Sequence, residues 1–213
     1  MRVGVLGTGD VGTMLASGFI ELGHEVRMGS RESGNPKAVA WSDGAGARAS
    51  AGTFAEAAAF AELAVLATLW TGTEAALEQA GASNLAGKVL IDCTNPLRQD
   101  AGMPALAIGT TDSGGEQVQR WLPDTRVVKA FNSVGNAHMV RPDFPGGPPD
   151  MFICGNDEAA KTRVGELLTA FGWGTVDLGG IAASRQIEPL CMVWVLHGVR
   201  TGSWNHAFKL LRK

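Results

Sequence analysis

A glycine-rich loop near the start of the chain contains the first residues that could do chemistry. Its six positions follow the spacing G-x-G-x-x-G and are Gly7, Thr8, Gly9, Asp10, Val11 and Gly12. In such a loop the first glycine permits a tight turn, the second lets the backbone approach a pyrophosphate, and the third lets a helix pack closely on a strand. Because free amides at a helix N-terminus bind phosphate, the pattern predicts a dinucleotide-binding loop between a strand and a helix.

The residues after the second predicted strand indicate which dinucleotide binds. Proteins that use NAD usually place an acid there, and it binds the ribose 2′-hydroxyl. This chain has Ser30 and Arg31 at that point, and a hydroxyl and a guanidinium can both bind a 2′-phosphate. Lys37 offers a third contact, whereas Glu32 keeps NAD open as the alternative. The local chemistry therefore predicts NADP(H) as the cofactor.

Further candidates stand where other predicted strands end. In an open parallel sheet, ligands bind beyond the carboxyl ends of the strands. Thr68, Leu69 and Trp70 follow one predicted strand, Asn95 follows another, and Asn132 follows a third. The two asparagine amides can donate and accept, so either one suits a nicotinamide carboxamide or an acceptor. We assign the first two residues and Asn95 to the cofactor, and Asn132 and Trp70 to the acceptor, although a tryptophan there is equally often core packing.

Alternating strands and helices must position these residues. Strands are predicted over 3–6, 25–29, 63–69, 89–93, 127–131, 151–154 and 175–178. Helices are predicted over 10–22, 73–79, 116–122, 157–171 and 184–199, with a partly helical stretch over 38–61 and a long loop over 97–115. This alternation is typical of an α/β fold, specifically a Rossmann doubly wound, mainly parallel sheet. We place an NADP-binding domain at residues 1–180 and a small C-terminal helical extension at 181–213.

Composition excludes several classes of protein. Hydrophobic residues make up 45% of the 213 residues and charged residues 18%, which is typical of a globular chain. The net charge of −3 argues against a nucleic-acid partner, and no apolar run approaches the roughly 20 residues that span a bilayer. Three scattered cysteines and a start without a leader pattern predict a cytoplasmic protein. The four histidines lack metal-ligand spacing, so we expect no metal site.

The sequence resembles the NADPH-dependent reductases of the deazaflavin coenzyme F420. The similar stretches are 1–12, 23–31, 67–70, 127–132, 154–157, 184–190 and 209–211, and Gly29-Ser30-Arg31 is the most specific of them. The resemblance implies a Rossmann domain, a homodimer, and hydride transfer between nicotinamide and a deazaflavin. It also implies that Thr8, Ser30, Arg31 and Lys37 hold the NADP phosphates.

The acceptor pocket expected from these patterns has three parts. One wall is formed by residues 68–70. The floor runs from Asn132 to Asn136 and includes the nicotinamide-side loop that the resemblance assigns to Val134, Gly135 and Asn136. The C-terminal helix covers the pocket near Glu188, and its apolar character predicts a two-fold interface.

The chain has no tyrosine, and the predicted pocket holds no obvious proton donor. Hydride exchange between two rings depends on positioning and needs no such donor. We therefore expect F420 or a flavin as the acceptor. A reductase of a small imine or carbonyl, and a non-catalytic module that senses NADP(H), are the alternatives.

Overall fold

The computed structural model describes residues 1–100 and 102–213. The described part of the chain contains the strands β1 (Arg2–Leu6), β2 (Glu25–Ser30), β3 (Ala49–Thr53), β4 (Leu63–Leu66), β5 (Val89–Asp92), β6 (Leu97–Asp100), β7 (Met103–Leu106), β8 (Arg126–Lys129), β9 (Asp150–Gly155) and β10 (Gly174–Asp177). It also contains the helices α1 (Asp10–Glu21), α2 (Pro36–Ala45), α3 (Phe54–Phe60), α4 (Thr73–Ala80), α5 (Ala82–Leu85), α6 (Gly114–Trp121), α7 (Glu158–Ala170) and α8 (Ser184–Thr201).

Eight of these strands form one sheet in the order β10-β9-β8-β5-β4-β1-β2-β3. The six strands from β8 to β3 in that order are mutually parallel, whereas β9 is antiparallel to β8 and β10 is parallel to β9. The chain thus moves outward from β1 in both directions, which is the doubly wound arrangement of the Rossmann fold. The predicted fold class is confirmed.

Helices cover both faces of the sheet. On one face Leu15 and Phe19 of α1 pack with Leu168 of α7 against the strands. On the other face Leu77 of α4 and Val118 of α6 pack against the strands. The central strands are buried on both sides, which explains why their sequences are continuous apolar runs without alternation.

The stretch 38–61 differs from the predicted partly helical segment. It holds most of α2, the edge strand β3 and then α3. The strand pairs in parallel with β2, but its sequence Ala-Ser-Ala-Gly-Thr contains no large β-branched or aromatic residue. Its strand conformation comes from pairing with β2 and is not favoured by local propensity. The following helix is well specified locally, because Thr53 and Glu56 form a reciprocal capping box.

The prediction of a long loop over 97–115 is also wrong in part. Strands β6 and β7 pair as an antiparallel hairpin, with Leu97 opposite Leu106, and α6 begins at Gly114. Residue 101, within the predicted loop, lies outside the described residues. The hairpin stands apart from the main sheet.

The C-terminal segment begins as predicted with one long helix. α8 runs through Pro189 without interruption, and the residue that caps its C-terminus, Gly202, has a left-handed conformation. Residues 203–213 are not helical and turn back to the sheet, where the amide of Asp150 donates to the carbonyl of Phe208. The domain boundary at 180 stays a prediction. No helix within 1–100 and 102–213 is long and apolar enough to cross a membrane.

Candidate functional site

The main cleft lies beyond the carboxyl ends of β1, β4 and β5. It has two halves, of about 470 and 580 Å³, which meet at five shared lining residues. The shared residues are Gly9, Ala67, Thr68, Leu69 and Thr71. The structure therefore brings the predicted glycine loop together with the predicted wall at residues 68–70. An elongated cleft across this edge of the sheet is where a Rossmann fold binds a dinucleotide.

The glycine loop lies between β1 and α1, as the sequence predicts. Gly7 has a φ of +135°, and a Cβ there would collide with the carbonyl of Ala67. A Cβ on Gly12 would collide with the carbonyl of Gly7, so both positions require glycine. Gly9 is the N-cap residue and no side chain caps α1, which leaves the first-turn amides available to a phosphate.

The smaller half of the cleft contains Thr8 and Arg31 among its lining residues, together with Phe54 and Gln79. Arg31 is exposed, so its guanidinium can meet an anionic group without losing an internal partner. We call this half the nucleotide half. Phe54 and Gln79 were not predicted, and no local pattern marks them, because they come from α3 and α4.

Ser30 and Lys37, two of the residues predicted to bind the 2′-phosphate, are not among the residues that line the cleft. Ser30 is buried, and its hydroxyl donates to the carbonyl of Glu32 at 2.7 Å. A hydroxyl has a single proton, so in this structure Ser30 stabilises the turn that follows β2. Lys37 is exposed in the first turn of α2 and is not among the residues that line the cleft. Arg31 is thus the predicted cation that the structure places in the cleft.

The larger half of the cleft, which we call the ring half, is lined mainly by apolar groups. Trp70 forms part of its wall and is stacked on Trp121, with a ring-centroid distance of 5.7 Å and an interplanar angle of 24°. Gly114 lies directly against the Trp70 ring. Leu69 lines both halves at their junction, and its side chain is exposed.

Asn95 and Asn132 form a reciprocal pair at the base of the ring half. The Asn95 side-chain amide donates to the Asn132 carbonyl at 2.8 Å, and the Asn132 amide donates to Asn95 Oδ1 at 3.2 Å. The same Asn132 amide donates to the carbonyl of Ile187 on α8 at 3.0 Å. Asn95 lines the cleft, whereas Asn132 is buried behind it and supports it.

The predicted floor has only one residue in the cleft lining, Asn136. Val134 is buried, and Gly135 lies against the Trp194 ring of α8. Phe131, just before this segment, has a left-handed φ of 62°, a strained conformation for a bulky residue. Such strain is often found at functional sites, and here it turns the chain between β8 and Asn132.

Glu188 lies in a buried charged cluster and does not cover the cleft. Its carboxylate accepts hydrogen bonds from the amides of Gly114 and Gly115 at 3.0 and 2.9 Å. It also pairs with Lys129 Nζ at 3.0 Å, and Lys129 pairs with Asp92 at 2.7 Å. Burial alone lowers the pKa of Lys129, but the two carboxylates outweigh burial and hold that pKa above its ordinary value.

The hairpin β6–β7 supplies residues that the sequence did not reveal. Leu97, Arg98 and Gln99 of β6 and Pro104 of β7 line the ring half. The sequence feature that indicates a turn between these two strands is Gly102. Cys93 also lines this half, and burial raises the pKa of its thiol well above the ordinary value, so the thiol is not a nucleophile at neutral pH.

The chemistry available in the ring half is limited. Asp10 and Arg98 are the charged residues among the described residues that line it, and no lysine or histidine is among them. No group of three potential metal ligands occurs within 1–100 and 102–213. The half therefore offers mainly apolar walls, side-chain amides, the Asp10 carboxylate and the Arg98 guanidinium.

The fold and the cleft define a Rossmann protein of the dinucleotide-binding class. Residues 2–96 match the family model described as NADP oxidoreductase, coenzyme F420-dependent. The F420-dependent NADP reductase of Methanothermobacter marburgensis is 33% identical over 202 residues, which cover 89% of this chain and 89% of that protein. The chain belongs to the family of coenzyme F420-dependent NADP oxidoreductases.

Two further similarities extend this result. A solved structure from Arthrobacter sp. FB24, provisionally assigned as an F420-dependent NADP reductase, is 41% identical, covers 100% of both chains and has a TM-score of 0.93. Metalloreductase STEAP3 of Rattus norvegicus is 30% identical over 189 residues, or 89% of this chain. The chain spans only 36% of the length of that metalloreductase.

Proposed function

We propose that the protein transfers a hydride between NADP(H) and a planar ring acceptor, either the deazaflavin F420 or a flavin. The observation that carries this proposal is the form of the cleft. The phosphate-binding loop borders both halves, Arg31 lines the nucleotide half, and the ring half is mainly apolar, with no lysine or histidine among its described lining residues. Family membership supports NADP(H) as the cofactor, and the names of the reductases it resembles support F420.

The residues present fit an NADP molecule along the whole cleft. The first-turn amides of α1 suit the diphosphate, and Arg31 suits the 2′-phosphate. Asn95 keeps one amide proton and one lone pair after pairing with Asn132, which is what a carboxamide needs. When bound, the nicotinamide ring supplies the hydride or receives it.

The chain's own contribution to the transfer is positioning and exclusion of water. Hydride exchange needs the two rings about 3–3.5 Å apart and aligned. Trp70, which packs against Trp121 and Gly114, forms part of the wall of the ring half, and the hairpin β6–β7 contributes further lining residues. A ring acceptor accounts for a slot with no lysine or histidine among its described lining residues, because hydride transfer between rings needs no protonated side chain.

Rapid mixing of the NADPH-loaded protein with F420, FMN, or a panel of imines and ketones tests the acceptor. We expect the absorption band of F420 or FMN to bleach within a single turnover. If neither ring acceptor responds and a small imine or ketone is reduced, the ring-acceptor proposal is wrong, and Asp10 becomes the acid to test. Turnover of any of these acceptors would eliminate the alternative of a non-catalytic module that senses NADP(H).

We also propose that the protein forms a homodimer through α8. Val193, Leu196 and Val199 are 53%, 54% and 51% exposed and follow one another at helical spacing. This apolar stripe is what an interface between two copies of the helix would bury. Trp194, in contrast, packs against Trp204 and His206 of the C-terminal segment.

A further inference from the structure

The buried cluster of Asp92, Lys129 and Glu188 has a connection to the cleft that none of the predicted roles uses. Lys129 is fully buried on β8, and its ammonium has three protons. The ammonium donates a hydrogen bond to the carbonyl of Thr94 at 2.9 Å and forms ion pairs with Asp92 Oδ2 at 2.7 Å and Glu188 Oε1 at 3.0 Å. These three oxygens all belong to the protein, so the ammonium is held by internal partners.

Thr94 is held from both sides by this cluster. Lys129 binds its carbonyl, while Asp92 Oδ1 accepts from its amide at 2.9 Å and from its hydroxyl at 2.7 Å. Thr94 is the residue immediately before Asn95, and both line the ring half of the cleft. The cluster therefore fixes the main chain from which the Asn95 amide extends.

The cluster also ties this turn to the C-terminal helix. Glu188 lies on α8 and accepts from the two amides that begin α6. The carbonyl of the preceding residue, Ile187, accepts from Asn132, which pairs with Asn95. Two separate paths of hydrogen bonds thus lead from one turn of α8 to Asn95.

A buried cluster of three charged groups adds little to the stability of a protein interior. Two carboxylates and one ammonium lose their hydration, and apolar side chains of similar volume often give equal or greater stability. A second nearly buried lysine, Lys161, shows the more ordinary arrangement, because its partners Glu158 and Asp177 reach solvent. The loss of hydration at Lys129 and its two carboxylates is explained if the cluster holds residues of the cleft in a geometry that ligand binding requires.

We propose that Lys129, together with Asp92 and Glu188, is a positioning group that orients Asn95 toward the nicotinamide carboxamide. It acts through Thr94 and does not touch the ligand. This role rests on the proposed function, since it requires a nicotinamide in the ring half. It predicts that the cluster contributes to binding of the nicotinamide and not to binding of the adenosine end.

The test compares two ligands by calorimetry, NADP⁺ and 2′-phospho-ADP-ribose, which lacks the nicotinamide ring. We expect the wild-type protein to bind NADP⁺ more tightly. In Lys129→Met the ratio of the two affinities should fall by about tenfold, the effect of losing roughly one well-placed hydrogen bond. Affinity for 2′-phospho-ADP-ribose should stay at the wild-type value.

Lys161→Met is the matched control, since it also removes a nearly buried lysine with two acidic partners. It should lower thermal stability and leave the affinity ratio unchanged. Thr94→Val tests the same path without burying an unpaired charge, so it serves if Lys129→Met does not fold. Thr94→Val should also lower the ratio of the NADP⁺ affinity to the 2′-phospho-ADP-ribose affinity. Thr94→Ser keeps the hydroxyl donor and should have a ratio close to that of the wild-type protein.

Three results would overturn the positioning role while leaving the proposed cofactor intact. One is an affinity ratio in Lys129→Met and Thr94→Val within about twofold of the wild-type ratio, which is near the accuracy of comparing two affinities. Another is a parallel loss of affinity for both ligands, which would show a merely structural role. The last is a wild-type protein that binds 2′-phospho-ADP-ribose and NADP⁺ equally. Failure of the wild-type protein to bind either ligand would reject the proposed cofactor itself, and this role with it.

Discussion

Arg31 is the side chain expected to separate NADPH from NADH. It is exposed in the nucleotide half and has no carboxylate of the same half beside it among the described lining residues. Arg31→Ala should weaken NADPH binding by about tenfold to a hundredfold, the range for one charge-assisted contact, and leave NADH binding nearly unchanged. Lys37→Ala, which removes a nearby cation outside the cleft, is the control. Equal wild-type affinity for both cofactors in calorimetry would contradict this prediction.

At the residue scale, the sequence predicts the type of site better than it predicts which way a side chain points. The glycine loop follows from spacing alone, because backbone geometry demands glycine at those positions. Their positions along the chain predict that Ser30 binds the cofactor and that Glu188 lies at the acceptor pocket. Their partners, the carbonyl of Glu32 and the amides of α6, are set by tertiary structure that no local pattern encodes.

At the element scale, β3 and the hairpin β6–β7 are the elements that sequence patterns missed. Both have sequences with weak strand propensity, and both owe their conformation to pairing. The central strands and the long helices were predictable, since burial on both faces or on one face leaves a clear apolar pattern. The missed hairpin also explains the missed lining residues, because Arg98 and Pro104 lie on it.

The helix after β3 should depend on its N-terminal cap. Thr53 accepts from the amide of Glu56, and the Glu56 carboxylate accepts from the Thr53 amide. Thr53→Ala should lower the free energy of unfolding by about 1 kcal/mol, whereas Thr53→Ser should change it little. Urea denaturation measures both. These hydrogen bonds lower the pKa of Glu56, so its contribution is present at neutral pH and is lost as the pH falls through the carboxyl range.

The hairpin β6–β7 should influence which acceptors bind. Arg98 lines the ring half and forms an exposed ion pair with Asp100 on the same strand, with 3.4 Å between Nη2 and Oδ2. The Arg98 cation in the ring half should favour an acceptor that bears an anionic group. Arg98→Ala should raise the KM for FMN several-fold, by about the effect of one exposed charge contact, and leave the KM for uncharged riboflavin unchanged. Equal effects on the two flavins would contradict a role for this charge.

At the scale of the whole molecule, α8 connects the site to the exposed surface. One side of the helix supplies Glu188 and the Ile187 carbonyl to the network behind Asn95. Another side exposes the stripe of Val193, Leu196 and Val199. If two copies associate through this stripe, the interface lies on the same helix that positions the ring half.

Assembly through α8 is tested by placing a charge in the stripe. Val193→Asp and Leu196→Asp should each convert a dimer to a monomer, because an unpaired carboxylate cannot be buried in an apolar interface without a large loss of hydration. Glu166→Gln, a change in α7 away from the stripe, is the control and should leave the mass unchanged. Light scattering over a range of concentrations measures the mass. A wild-type protein with the mass of a single chain at every concentration would reject the dimer. A monomeric variant with unchanged affinity for NADP⁺ would show that the site is complete within one chain.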